Sequence, residues 1–368
     1  MRIEKITLSD FRNATRVEFA PGPGANVIYG DNAQGKTNIL EAIWLFSGAR
    51  SFRGARDDDF IRFNADSAKL ELDFYAKGRE QTASITVAVK KKTVLLNGIK
   101  QSGQSKLAGE FCCVLFSPDH LLLVKQGPEN RRRMIDLSLC QTFPKYADIL
   151  DAYHKILKQR ASLLRDIPRH PALLETLDIW DQSLIEYGAY IIWLRARYIK
   201  KLAPLAADVY RGISGEKEQL SLAYRPAIGN VEADFQRADY KETFQRAVKT
   251  GRRDDIDAGK TLCGPHRDDI DILIDGVSAR AFGSQGQQRS CVLALKLAEC
   301  GILEERNAEP PVVLLDDVMS ELDDSRRSYL LQKFEGMQVI ITCCDRTLFT
   351  GIGNGRVFHV SEGTLSAE

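Results

Sequence analysis

Three stretches of this 368-residue chain predict an α/β fold with mixed sheets and an inserted helical arm. The first is an apolar run, Val27-Ile28-Tyr29, that passes straight into Gly30-Asp31-Asn32-Ala33-Gln34-Gly35-Lys36-Thr37 and then into residues at helical spacing. The second lies far downstream, where Val312-Val313-Leu314-Leu315 reads as a strand buried on both faces and ends in Asp316-Asp317. The third lies between them: from Pro128 to Tyr198 the apolar period is helical, interrupted only near Pro168 and Pro171.

A chain of this length usually divides into two lobes, and its 44% hydrophobic content supplies an ordinary core. With 51 basic against 50 acidic residues the formal net charge is +1, so nucleic acid would have to be engaged by local patches and not by the field of the whole molecule. The opening Met1-Arg2-Ile3-Glu4-Lys5-Ile6 alternates like a strand and has no signal-peptide core. No apolar run approaches the roughly 18 residues of a membrane span. A cytoplasmic protein with no membrane partner is expected. Eight cysteines, including the adjacent pairs Cys112-Cys113 and Cys343-Cys344, show neither C-x-x-C spacing nor histidines at zinc-ligand spacing. They are expected as reduced core thiols.

Taken in order, Ile3, Ile6 and Leu8 alternate weakly, Asp10-Phe11-Arg12-Asn13 interrupts, and Val17 to Phe19 resumes, which predicts two short strands. Pro21-Gly22-Pro23-Gly24 then turns the chain into the strand before Gly30. Gly30 to Thr37 fills the pattern G-x-x-x-x-G-K-[ST], a phosphate-binding P-loop. Such a loop needs glycines so that backbone N–H groups turn inward on the β-phosphate, a lysine to reach β- and γ-oxygens, and a hydroxyl to ligand Mg²⁺. Gly35, Lys36 and Thr37 supply those parts, and the helix opened by Asn38 to Phe46 points its N-terminal dipole at the anion. ATP and Mg²⁺ are the expected ligands, with Gly30, Asp31, Asn32, Ala33, Gln34, Gly35, Lys36 and Thr37 as the cradle. The basic run Arg50 to Arg56 that follows is open to two readings, a solvated loop or a DNA-contacting one. Between 69 and 116 the period becomes two, with Leu70, Leu72 and Phe74, then Ile85, Val87 and Val89, then Val94 to Leu96 closed by Asn97-Gly98, which predicts an antiparallel sheet beside the P-loop.

Pro128 suits a first helical turn and opens a helix to Cys140. Tyr146, Leu150, Tyr153, Leu157, Leu164 and Ile167 then follow steps of four and three, with Arg160 filling the one gap. Leu173, Leu177, Trp180, Leu184, Tyr187, Ile191, Leu194 and Tyr198 keep the same spacing beyond the prolines, so an antiparallel helical hairpin is expected. At 1.5 Å per residue it would reach roughly 35–45 Å. Arg195, Arg197, Lys200 and Lys201 are placed on its last turn, where they complement the helix dipole or contact DNA. Residues 212–260 show no clear period. Lone His266, in the polar turn before the strand Ile270, Ile272 and Ile274, reads as a hydrogen-bonded turn residue. Ser284-Gln285-Gly286-Gln287-Gln288-Arg289 opens a further helix, and Asp316-Asp317 at the end of the buried strand makes a Walker B pattern. Asp316 would hold the Mg²⁺ shell together with Thr37, and Asp317 would orient or deprotonate the attacking water. The domains implied are a head of 1–120 and 255–368 and a helical arm of 121–254.

Over essentially its whole length the chain resembles the RecF family, whose heads belong with the SMC-like ABC ATPases. The segments that carry the resemblance are Asp10-Phe11-Arg12-Asn13, the P-loop with Asn38-Ile39-Leu40-Glu41-Ala42, Ser51-Phe52-Arg53, Gly264-Pro265-His266-Arg267-Asp268-Asp269, the signature beginning at Ser284, and Leu314 to Asp317 with Ser320-Glu321-Leu322-Asp323. The resemblance implies nucleotide contacts by Arg12, Ser284, Gly286 and Gln287. It also implies ATP-dependent dimerisation on DNA at gaps between single-stranded and duplex regions, weak DNA-stimulated ATP hydrolysis, and work alongside RecO and RecR. In such heads the P-loop and signature sit on opposite sides of one subunit, so two subunits sandwich each ATP in a C₂ pair. Two departures stand out: Ala33 occupies a position where the family usually carries glycine, and Thr342-Cys343-Cys344-Asp345 lies where transporter-type ABC ATPases have a switch histidine. The rival readings are a structural SMC-type protein, with a far longer arm, a transporter-type ABC subunit, and a P-loop kinase, which would lack the signature.

Overall fold

The computed structural model describes residues 1–229, 231, 235–345 and 355–368. β1 (Arg2–Phe11) and β2 (Ala14–Phe19) form a hairpin. β1 is longer than the weak alternation predicts, because a bulge between Ile3 and Lys5 shifts the face, and its buried residues are Ile3, Ile6, Leu8 and Phe11. β3 (Ala25–Tyr29) feeds the P-loop and α1 (Lys36–Leu45). β4 (Ser67–Ala76), β5 (Arg79–Ala88), β6 (Lys91–Leu96) and β7 (Ile99–Gln101) complete an antiparallel sheet of order β2-β1-β4-β5-β6-β7. Asn97 at φ 50° and Gly98 at φ 77° provide the left-handed pair of a two-residue hairpin, as their sequence predicts.

After β8 (Cys113–Phe116) come the helices α2 (Leu122–Lys125), α3 (Pro128–Thr142), α4 (Pro144–Asp166) and α5 (Leu174–Ser214). Then follow β9 (Leu220–Arg225), α6 (Arg237–Thr250), α7 (Arg252–Ala258), β10 (Asp269–Ile274), β11 (Val277–Ser278), α8 (Ala279–Phe282) and α9 (Gln285–Asn307). The chain closes with β12 (Val312–Asp316), α10 (Asp324–Lys333), β13 (Val339–Cys343), β14 (Val357–Ser361) and β15 (Thr364–Ala367).

The second sheet has the order β15-β14-β3-β13-β12-β8, and only β15 runs antiparallel to its neighbour. β8, β12 and β13 are buried at every position because both faces are covered there. Ile28, Val312, Leu314 and Ile340 join α1 and the first sheet in one core, while Val27, Val313, Leu315 and Ile341 face α9 and α10 in another.

The helical lobe departs from its expectation in three ways. α4 and α5 do pair antiparallel, with Arg160 opposite Asp181 and Tyr153 opposite Gly188. Gly188 is required there, since a Cβ would run into the Phe244 ring of α6 and lie 3.1 Å from Tyr153. However, α5 continues past Pro204 to Ser214 and packs on α9, β9 and α6, so it is not a free-standing arm. Arg195, Arg197, Lys200 and Lys201 therefore lie in mid-helix and not on a last turn. Arg195 is buried, with its guanidinium on Asp136 at 2.8–2.9 Å and on the Pro265 carbonyl at 2.6 Å, which removes it as a DNA contact. Finally, β9 pairs with β10 from Leu220↔Ile274 to Arg225↔Asp269, and α7 runs across 254/255. The boundary expected there falls inside the second lobe, whose third sheet has the order β11-β10-β9. Among the described residues no helix is long and apolar enough to cross a membrane.

Candidate phosphate-binding site

Parallel register gathers the site. Cys343 lies opposite Tyr29, and Thr342 opposite Asp316, so the carboxyl ends of β3, β13 and β12 form one edge where an α/β sheet places its ligands. The P-loop springs from that edge. Gly30, at φ 152°, lies so close to β14 that a Cβ would run into the carbonyl oxygen of Val360, and Gly35 turns at φ 111° before α1 begins at Lys36. Ala33 is left-handed at φ 65°, which gives the family's usual glycine at this position a physical reason.

Lys36 is buried, and its ammonium donates to the carbonyls of Gly30 at 2.6 Å and Asp31 at 2.9 Å, so the loop curls around a cation. The Thr37 hydroxyl donates to Asp316 Oδ1 at 2.9 Å. The same oxygen accepts from the Thr342 hydroxyl at 2.8 Å, and Thr342 Oγ1 in turn accepts the Asp317 N–H at 3.1 Å. Burial raises the Asp316 pKa above the usual carboxylate value, while the hydroxyls of Thr342 and Thr37 pull it back. Asp317 holds a left-handed backbone at φ 52°, and Ser320 Oγ caps its carbonyl at 2.9 Å. Cys344 is exposed beside the loop, 3.0 Å from Asn32 Oδ1 and 3.8 Å from the Lys36 ammonium. It is the exposed exception to the expected core thiols, and Cys140 and Cys263 are half-buried. Burial accounts for the others, raising Cys112 to about 12 and Cys343 to about 11.

Glu41, fully buried on α1, is a hub that the sequence alone did not single out. It accepts both forks of Arg12 at 2.9–3.0 Å and the Ser51 hydroxyl, and Arg53 lies 3.8 Å away. The remaining Arg12 nitrogen donates to the Asp59 carbonyl at 3.2 Å, so each guanidinium nitrogen has a protein partner. The turn that carries Arg12 is docked on the P-loop helix by Asn38 Nδ2 on Asn13 Oδ1 at 2.8 Å. Loop 50–56 is docked too, through Arg53 on Asn38 at 2.9 Å and Arg133 on the Ser51 carbonyl at 2.9 Å, while Arg50, Arg53 and Arg56 remain exposed.

The signature forms a separate cluster. Ser284 caps α9 reciprocally: its Oγ accepts the Gln287 N–H at 3.2 Å, and Gln287 Oε1 accepts the Ser284 N–H at 2.7 Å. Gln287 Nε2 also reaches Glu218 at 2.7 Å, and the guanidinium of Arg326 lies over Gly286. Among the described residues no hydrogen bond joins 284–289 to 30–37 within one chain. His266 is a turn residue, as expected: its Nε2 donates to the Thr261 carbonyl at 3.0 Å, its Nδ1 accepts from Tyr153 at 2.7 Å, and burial depresses its pKa to about 4.

A P-loop and a Walker B carboxylate joined by a threonine, with a capped Ser-Gln-Gly-Gln helix, define an ABC-type ATPase head. The RecF/RecN/SMC N-terminal domain model matches residues 2–365. The "DNA replication and repair protein RecF" of Agathobacter rectalis is 39% identical over 370 residues, covering 99% of each chain, and that of Acetivibrio thermocellus is 38% identical over 95% of each. A solved structure of the recombination mediator RecF with an ATP analogue superposes with a TM-score of 0.93 at 35% identity, covering 100% of this chain and 98% of the other. An Smc head from Pyrococcus furiosus, at 17% identity and a TM-score of 0.57, shares the fold. The chain belongs to the RecF/RecN/SMC family and, within it, to the RecF branch.

Proposed function

We propose that this protein is an ATP-dependent DNA-binding ATPase of recombinational repair and replication restart, acting in the cytoplasm. Its support is the geometry at the strand edge together with relatives named for DNA replication and repair. The observation that carries the ATPase reading is the hydrogen bond between Thr37 of the P-loop and Asp316 of β12 at 2.9 Å. A hydroxyl and a buried carboxylate so close fit Mg²⁺, which takes one or two protein oxygens and completes its shell with phosphates and water. Mg²⁺, when bound, neutralises phosphate charge. The backbone of Gly30 to Gly35 cradles the β-phosphate, Lys36 turns from its carbonyl partners to the phosphate oxygens, and Asp317 orients or deprotonates water. Arg12, with its nitrogens engaged by Glu41 and Asp59, positions the flank of the cradle for the nucleotide. Thr342 ties the Asp316 carboxylate to the backbone N–H of Asp317.

ATP brings two copies together: Ser284, Gly286 and Gln287 of one subunit close on the nucleotide held by the other, and slow, DNA-stimulated hydrolysis releases the pair. The dimer sits on DNA at junctions of single-stranded and duplex regions and assists recombinase loading with RecO and RecR. A mixing experiment tests the trans arrangement. Ser284→Arg and Lys36→Ala should each abolish ATP-driven association in sedimentation, the second by losing ATP itself. Mixed, they form one intact composite site, and partial association should return. Normal ATP-driven pairing of Ser284→Arg alone refutes the arrangement.

A further inference from the structure

Away from the P-loop, α4 and the turn before β10 enclose a cavity of about 320 Å³ lined by His154, Leu157, Lys158, Lys260, His266 and Arg267 among others. Its charge is one-sided. Lys158, Lys260 and Arg267 are exposed, and no carboxylate of the described residues lies within ion-pairing distance of any of them. Most nearby acids are already engaged: Asp136 accepts Arg195, Asp255 accepts Arg160, Asp268 accepts Arg195, Tyr224 and the Ala227 N–H, and Asp269 accepts Arg131, while exposed Asp151, near His154 on α4, pairs with none of these cations. The two imidazoles add no negative charge. Three cations around one opening repel each other and are stabilised only by an anion that enters.

The volume sits at the low end of the roughly 300–1,000 Å³ that holds a small ligand, so it takes one phosphate-bearing unit at a time. The basic character also continues past the rim. Arg132, half-buried with its guanidinium on the Asp268 carbonyl at 2.6 Å, adds a further cation next to Arg267. Cations that continue from the cavity onto its rim match a backbone phosphodiester better than an isolated ion.

We propose that this cavity binds a phosphodiester of a nucleic-acid backbone through Lys158, Lys260 and Arg267. The proposal rests on the DNA-binding reading above and gives it a location. Both the single strand and the duplex arm of a gap offer this chemistry.

The test compares wild type with Lys158→Ala/Lys260→Ala/Arg267→Ala, matched for ATP affinity and melting temperature, on single-stranded, duplex and gapped DNA with ATP. The substitutions should weaken binding about tenfold or more on the substrate that fills the cavity and lower the slope of log affinity against log salt by about two to three. The substrate showing the larger drop identifies the source of the phosphate. Lys158→Arg/Lys260→Arg should bind as wild type, and the single change Lys158→Glu serves should the triple variant fail to fold. An unchanged slope in a variant that binds DNA overturns the cavity assignment and leaves the DNA-binding reading standing. Absence of DNA binding by wild type with ATP overturns both. Inorganic pyrophosphate that binds wild type, is lost with the triple variant and leaves DNA affinity untouched shows a small-anion site and overturns the proposal.

Discussion

Two buried guanidinium–carboxylate clusters organise the molecule in opposite ways. Beside the P-loop, Glu41 is 0% exposed but its partner Arg12 keeps 19% of its side chain in solvent, so the pair reaches the surface. In the helical lobe, Arg160 is 0% exposed and binds Asp181 and Asp255 at 2.7 Å and Thr261 at 2.8 Å, tying α4 to α5, α7 and the turn before β10. Arg252 on Asp181, also at 2.7 Å, seals that cluster from outside. A pair left partly hydrated can still meet an incoming anion, whereas a sealed one serves only to hold elements together.

Removing each arginine's role separates the two. Arg160→Ala strands Asp255 and halves the support of Asp181 and should cost about 3–5 kcal/mol, the largest effect expected, read as a fall in thermal midpoint with ATP affinity per folded molecule unchanged. Glu41→Gln should cost less, about 1–3 kcal/mol, because water can take over part of Arg12's solvation, yet it should lower ATP affinity several-fold by loosening the cradle's flank. Equal ATP affinity in the two variants would erase the contrast.

A smaller effect is confined to pH. The free histidine value is near 6.5, and burial in the fold lowers His266 to about 4, so the unfolded chain takes up the proton first. Its contribution to stability is complete above pH 6.5 and is lost as pH falls toward 4. His266→Asn should flatten that limb in urea midpoints by on the order of 1–3 kcal/mol, on top of a pH-independent cost from the lost Tyr153 and Thr261 hydrogen bonds. The smallest effect belongs to Ala33→Gly, which relaxes a left-handed residue and trades strain for backbone entropy, so stability should move by about 1 kcal/mol or less while ATP binding persists. A large loss of ATP affinity would mean that the Ala33 methyl itself shapes the cradle.

What could be read from the sequence was local. The P-loop, the capped signature helix and the strand ending in Asp316-Asp317 each carry their meaning within a few residues, and the structure places them on β3, α9 and β12 as expected. Thr342 and Glu41 were not assigned roles because their partners come from distant segments: Thr342 meets Asp316 through parallel register, and Glu41 meets a turn before the P-loop. The segment 212–260 was opaque for a related reason. β9 is half-exposed along one sheet edge and finds its partner only in β10, so its alternation is weak. The end of α5 was misplaced because a cluster of cations followed by Pro204 looks like a terminus, whereas packing against α9 carries the helix through.

The position of β3 has a consequence for how the chain is made. Residues 2–101 can pair among themselves as soon as they leave the ribosome, since each strand of the first sheet finds its neighbours within that span. β3 lies in the same stretch but belongs elsewhere: its two neighbours begin at Val339 and Val357, near the end of the chain. At about 5–20 residues per second, the P-loop strand waits on the order of tens of seconds with both edges unpaired. During synthesis, then, the nucleotide cradle is translated long before the strands that complete it, and a chain interrupted in between exposes an apolar strand without partners.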